Sequence, residues 1–373
     1  MKKAAFFLLF LLFFFGVSLP CNAEDSTYKE QYDALEIDEI KDSLNDDTRR
    51  LLEQNGIDPQ DPDWVNNLSD RGVFGHIKDF LTSGMKTPLK SGAAMLGVII
   101  ITAAITAFGT EGEASDTAVF TCTVCCCAIL SVGVLASISA AADAMKGCAT
   151  FMLAFIPVFA AIVTLSGGTV TAVSMSSLLL GAAEAVSAVS SFFIMPFMGG
   201  YLSLSVASGV SPLLNRSTLA ETVKKISLWT FSLASTLFIG ILGIQTAVNA
   251  AHDSVALKTA KFIIGTSVPV SGAVLAEAAA TISASVGLLR SSVGIYGVVA
   301  VAFTVLPIMV ELLLWKIIIT LLSSLAEGFS LSKTGGFLRA VDSMLSILSG
   351  LLLLVAGLFI ISLTVIVSAG KKI

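Results

Sequence analysis

From Ser91 almost to its end the sequence is a succession of apolar runs broken only by short polar steps. A helix needs about 20 apolar residues to cross roughly 30 Å of hydrocarbon, and most of these runs are that long. Water could not solvate the surface they would make. Of 373 residues 55% are apolar and only 13% charged, where soluble domains carry about 25% charged residues. Lipid is therefore the expected solvent, and in lipid the backbone must satisfy its own hydrogen bonds within helices. The fold class expected is all-α, a polytopic α-helical membrane bundle. Spans are placed near 91–109, 117–141, 149–166, 170–190, 192–212, 226–248, 262–287, 293–315 and 341–368, about eight or nine in all. The stretch from Lys316 to Ala326 is apolar but too short to cross, and reads as an interfacial or re-entrant helix.

The first 85 residues differ in kind. Lys2 and Lys3 precede the Phe-rich core from Ala4 to Val17, and Cys21-Asn22-Ala23 offers a cleavage site, so residues 1–23 read as a signal peptide cut after Ala23. A lipid anchor on Cys21 and an uncleaved anchor are the alternatives. Between Glu24 and Phe80 lie 16 of the 27 acids against six bases, a net of −10, whereas residues 81–373 carry +3. Tyr32, Leu35, Ile40, Leu44 and Leu52 recur at near-helical spacing among those acids. Residues 24–85 are thus expected to form a small helical extracytoplasmic segment, with too few apolar residues for a core of its own. Residues 86–373 form the transmembrane domain. Nine spans that start outside put the C-terminus in the cytoplasm, with Arg216, Lys224, Lys225, Arg290, Lys371 and Lys372 on the inner side, as the positive-inside rule requires.

Three acids fall at membrane depth, Glu184, Glu277 and Glu311. An ionised carboxylate there must be paired, protonated or hydrated. Such a group marks an ion pathway, or makes an interhelical hydrogen bond; Glu311, close to Trp315 and Lys316, also suits an interface position. Four of six cysteines cluster over Cys122–Cys127 without a neighbouring His or carboxylate, which fits helix packing better than a metal or redox centre. Pro157, Pro196, Pro269 and Pro307 interrupt apolar runs and would kink or break helices. Phosphate-binding loops, nucleophile elbows and zinc-helix motifs are missing from the sequence. Neither catalytic, cofactor-binding nor metal-ligating residues are therefore assigned, and no basic cluster points to nucleic acid. Spans rich in Gly, Ala and Ser suit close packing, within one bundle or in a homo-oligomer.

One segment carries a resemblance. It reads Thr259-Ala260-Lys261-Phe262-Ile263-Ile264-Gly265, then Val268-Pro269-Val270-Ser271-Gly272, Thr281-Ile282-Ser283 and Ser292-Val293-Gly294-Ile295-Tyr296-Gly297. This resembles the stage III sporulation protein AE family of endospore-forming bacteria, and the signal peptide, acidic segment and basic tail follow its layout. The resemblance implies a non-enzymatic subunit of a channel-like, secretion-like complex in the mother-cell membrane around the forespore, with other subunits and a separate ATPase as partners. It brings no catalytic residues. Lys261, Gly265, Pro269 and Gly272 stand out as packing or passage residues, beside Glu184 and Glu277. The competing expectation is a secondary transporter that couples to ions through those two acids.

Overall fold

The computed structural model describes residues 25–35, 37–61, 64, 84–108, 113–210 and 272–369, with short helical pieces between 225 and 248. The signal peptide and Lys261, Gly265 and Pro269 lie outside them. Three short helices come first: α1 (Asp25–Ala34), α2 (Asp38–Asp42) and α3 (Asp46–Gln54). Then follow α4 (Lys86–Phe108), α5 (Glu113–Leu165), α6 (Thr169–Ala188), α7 (Met195–Val210), α8 (Gly272–Gly328) and α9 (Ser332–Ala369). Among the described residues there is no strand. The all-α bundle is as expected, and among the described residues five helices or joined helices are long and apolar enough to cross a membrane.

The helices are longer than the spans read from the sequence. The runs 117–141 and 149–166 join in the 53-residue α5, which at 1.5 Å per residue is about 80 Å long. Between them stand Asp143 and Lys146, exposed on an unbroken helix. Charge marks a place that prefers water, but it does not end a helix; Gly and Pro do. In the same way α8 takes in 57 residues. Lys316 to Ala326, expected as a separate interfacial element, is simply its continuation.

The breaks fall at left-handed turns. Gly167 has φ +86°, and the Gly168 N–H donates to the Val163 carbonyl at 3.0 Å. Ser330 has φ +61°, and the Leu331 N–H donates to Ala326 at 2.8 Å. Both close the preceding helix by capping its last carbonyls, and both turn the chain back as a helical hairpin. Between α6 and α7 the helix does not stop. A π-helical turn, Val189–Ile194, runs directly into Met195-Pro196. Pro196 lacks an N–H and crowds the preceding turn, and the wider π turn accommodates it.

The α8–α9 hairpin packs along α5, and α4 and α6 lie against it. Close approach depends on two glycines of opposite halves. Gly133 of α5 lies under the buried Trp315 ring of α8, where a β-carbon would stand 2.5 Å from Cζ2. Gly297 of α8 faces Phe155 of α5 at 2.8 Å by the same measure. The Leu-rich run Leu345 to Leu363, which reads as lipid-facing, is instead mostly buried. It lies at the centre of three helices, and hydropathy alone does not distinguish that place from lipid.

The acidic segment is a cap docked on the long helices rather than a separate body. Trp64 Nε1 donates to Ser292 Oγ of α8 at 2.9 Å, and its ring meets Tyr296 edge-on at 6.4 Å. Thr48 Oγ1 lies 3.3 Å from Thr304 Oγ1, and Ser285 Oγ donates to Gln31 at 3.0 Å. Apolar side chains of α1–α3 that could not make a core alone thus finish one with α8. Within the cap, Lys41 bridges Asp58 at 2.7 Å and Asp38 at 3.0 Å, and Tyr32 donates to Asp38 at 3.0 Å.

The Lys41 hydrogen bond holds the Asp38 carboxyl below its ordinary range. Burial opposes the charge on Lys41, but the Asp58 and Asp38 bonds outweigh it and raise its pKa. A lowered Asp38 value stabilises the fold above the unfolded carboxyl pKa of about 4, and that contribution is lost as pH falls through the folded value. A raised Lys41 value stabilises the fold below about 10.5 and is lost only as pH rises beyond it. Amide exchange over residues 37–58, corrected for intrinsic rate, is therefore expected to be flat between about pH 5 and 9 and to rise a few-fold below about pH 4. The rise is small because exposed pairs contribute at most about 1 kcal/mol.

Candidate functional site

The polar residues that matter inside the bundle form a seam between α5, α8 and α9. Ser137 of α5 donates to Glu311 Oε1 of α8 at 2.7 Å. Its single proton serves either that carboxylate or the Gly133 carbonyl 3.1 Å away. Further along α8, Lys316 Nζ donates to Ser346 Oγ of α9 at 2.6 Å, and Thr320 Oγ1 donates to Asp342 at 3.2 Å. Near the α8–α9 turn Arg339 pairs with Glu327 at 2.7 Å. On the other side Thr123 of α5 and Thr334 of α9 share a hydrogen bond of 2.9 Å. Glu311, Lys316 and Asp342 lie half-buried between helices and each has a partner, as such residues in lipid require, while Glu327 and Arg339 pair at the exposed turn. The seam ties three helices in register.

Helix continuity decides which residues reach the seam. Sequence reasoning ended a span at residue 315 and so left Lys316 outside; because α8 runs on, Lys316 and Asp342 join the interior. The signal was the spacing of Lys316 and Thr320, four residues apart on one face of a helix, whereas Glu311 looks the other way, toward α5. Glu311, expected near an interface or in a hydrogen bond, makes the hydrogen bond.

The other expected residues fare differently. Glu184 is exposed on α6 and faces away from the packed core. Gly272 and Glu277 belong to the first turns of α8, with their side chains outside the described residues. The five described cysteines are free thiols, with Cys122, Cys126, Cys127 and Cys148 buried. Among the described residues no group of three or more His, Cys, Asp or Glu could hold a metal. Cys122 and Cys125 line an open apolar groove of about 690 Å³ between α4 and α5, with Val98, Ile101 and Ile105 opposite. Pro157 and Pro307 are carried inside continuous helices.

The seam lies within one stretch of chain, and that stretch decides the family. The sequence profile described as stage III sporulation protein AE matches residues 65–370, from just after the cap to the end of α9. The chain belongs to the stage III sporulation protein AE family. It is 28% identical over 239 residues to stage III sporulation protein AE of Bacillus subtilis (strain 168). That alignment takes in 63% of this chain and 59% of the relative, so it spans under two thirds of the relative's length. No solved structure matches the chain. The family match stops short of the acidic cap, which is where Trp64 and Thr48 bind this family member's α8. The seam residues Ser137, Glu311, Lys316 and Asp342 all fall inside the matched region.

Proposed function

We propose that this multi-pass membrane protein is a non-enzymatic subunit of a sporulation complex that links mother cell and forespore and is required for late forespore development. The observation that carries the reading is the family match over residues 65–370, which takes in all the described long helices. A bundle whose polar groups are spent on tying helices together suits a scaffold or channel wall better than a catalyst. Its place is the mother-cell membrane around the forespore, with the cap extracytoplasmic. Its partners are other subunits of that complex, a separate ATPase that supplies the energy this chain has no motif to harvest, and further copies of itself. Gly272, at the head of α8, and the Lys261–Pro269 stretch that precedes it in the sequence enter this reading as packing or passage residues.

The test is affinity purification of the tagged full-length protein from sporulating cells, beside deletion of its gene. Co-purification of an ATPase and ring-forming subunits, with forespores that engulf but do not mature, is the expected result. Normal spores from the deletion strain would overturn the reading. A secondary transporter using Glu184 and Glu277 gains nothing from the described residues, since Glu184 is exposed rather than enclosed.

A further inference from the structure

The long helices pose a question of position. At 1.5 Å per residue α5 and α8 are each over twice the roughly 30 Å thickness of a hydrocarbon core. We propose that one bilayer surrounds only the half of the bundle built from α4, the first part of α5, the end of α8 and the start of α9. The other half stands clear of the lipid as a rigid projection carrying the acidic cap. This conclusion stands independently of the sporulation role.

Side-chain exposure separates the two halves. From 120 to 135 the exposed large residues of α5 are Phe120, Val124, Val132 and Leu135. From 143 to 164 its exposed residues are Asp143, Lys146, Thr150, Pro157 and Thr164. On α8, Ile317, Leu321 and Leu325 face outward, whereas over 285–316 Gly287 alone is exposed. Helix α4 exposes Ile100, Ile101, Ile105 and Phe108 beside the first set. Helix α6, which packs on Phe155 and Phe159 of α5, exposes Thr169, Ser177, Gly181 and Glu184 as well as two valines. The exposed acid on α6 then meets water, which needs no special pairing.

The cap fixes the boundary independently. Its charged side chains cannot enter hydrocarbon at tolerable cost. It docks on α8 through Ser285, Ser292 and Thr304, so that stretch lies outside the lipid. From 305 to the end of α8 at Gly328 is about 36 Å of helix, enough for one crossing. Cys148 and Gly147 of α5 sit beside Thr304, so Asp143 and Lys146 mark the same level. On the lipid side of it, Lys316 and Glu311 turn inward onto Ser346 and Ser137. Beyond it α5 rises about 33 Å further to Leu165. Val367 near the end of α9 packs on Gly294, so the end of α9 falls on the cap's side of the bilayer, where Lys371 and Lys372, which follow in the sequence, predict the opposite.

The test places single cysteines in a full-length chain whose own cysteines are alanine, in membrane fragments open on both faces. Thr150→Cys and Ser177→Cys report the projection; Val132→Cys and Leu321→Cys report the belt. Because a thiol must ionise in water to react, a water-soluble maleimide is expected to label the first pair at least roughly tenfold faster than the second. Hydroxyl-radical footprinting of the unaltered protein in nanodiscs reads the same division, with Leu165 and Val173 modified and Ile101, Phe120 and Leu321 protected. Equal protection of both halves, equal reactivity of both, or the reverse order would overturn the proposal.

Discussion

Gly133→Leu is expected to lower the stability of the bundle by about 3 kcal/mol or more, at the upper end of overpacking costs. A β-carbon at this position would stand 2.5 Å from Cζ2 and 2.8 Å from Cη2 of Trp315. That ring is fully buried and rigid, so it cannot swing aside as a flexible chain end would. Either α5 must move off α8 or the indole must leave its place. Gly97→Leu on α4 is the control, because a β-carbon there meets nothing within 4 Å. Both substitutions gain about 1 kcal/mol of helix propensity, so their difference isolates the packing term. Thermal unfolding in mild detergent checks it. Gly133→Leu should melt well below Gly97→Leu, and adding Trp315→Leu should recover part of the loss. Equal melting of the two leucine variants would show that α5 and α8 do not pack through this contact.

Trp64→Ala is expected to release the cap without unfolding the bundle. The substitution removes a fully buried ring, its 2.9 Å hydrogen bond to Ser292 and its edge contact with Tyr296. Losses of this kind cost about 3–5 kcal/mol. The cap has too little apolar surface to remain folded away from α8. Protease digestion of residues 25–64 should therefore accelerate by orders of magnitude while the fragment from α4 to α9 stays resistant. Trp64→Phe keeps an aromatic ring but gives up the pyrrole part of the indole and its hydrogen bond, for about 1–2 kcal/mol, and should leave the cap much better protected than Trp64→Ala. A cap that stays resistant in Trp64→Ala would mean that the cap is held by something other than this anchor.

Much of the architecture was legible because hydrocarbon permits few solutions. Long apolar runs meant helices, and the scarcity of charge meant many of them in lipid. The acids of the first 80 residues marked a segment that had to lie in water. What could not be read was where helices end. Asp143 and Lys146 resemble a loop because loops are polar, yet nothing there breaks a helix, while the modest Ser166-Gly167-Gly168 does. The same ambiguity hid Lys316 from the seam and gave Leu345–Leu363 to lipid. A leucine facing lipid and a leucine facing three helices are equally apolar.

By itself, then, the sequence determined the helical class, the multi-pass membrane character and the family, since these depend on local composition and on segments such as 259–297. Only the tertiary structure decided that spans fuse into helices of over fifty residues, that the cap closes on α8, and which ionisable side chains find partners. Those outcomes depend on contacts between residues more than a hundred positions apart, such as Ser137 with Glu311 and Trp64 with Ser292, and no local pattern encodes which helix will be the neighbour.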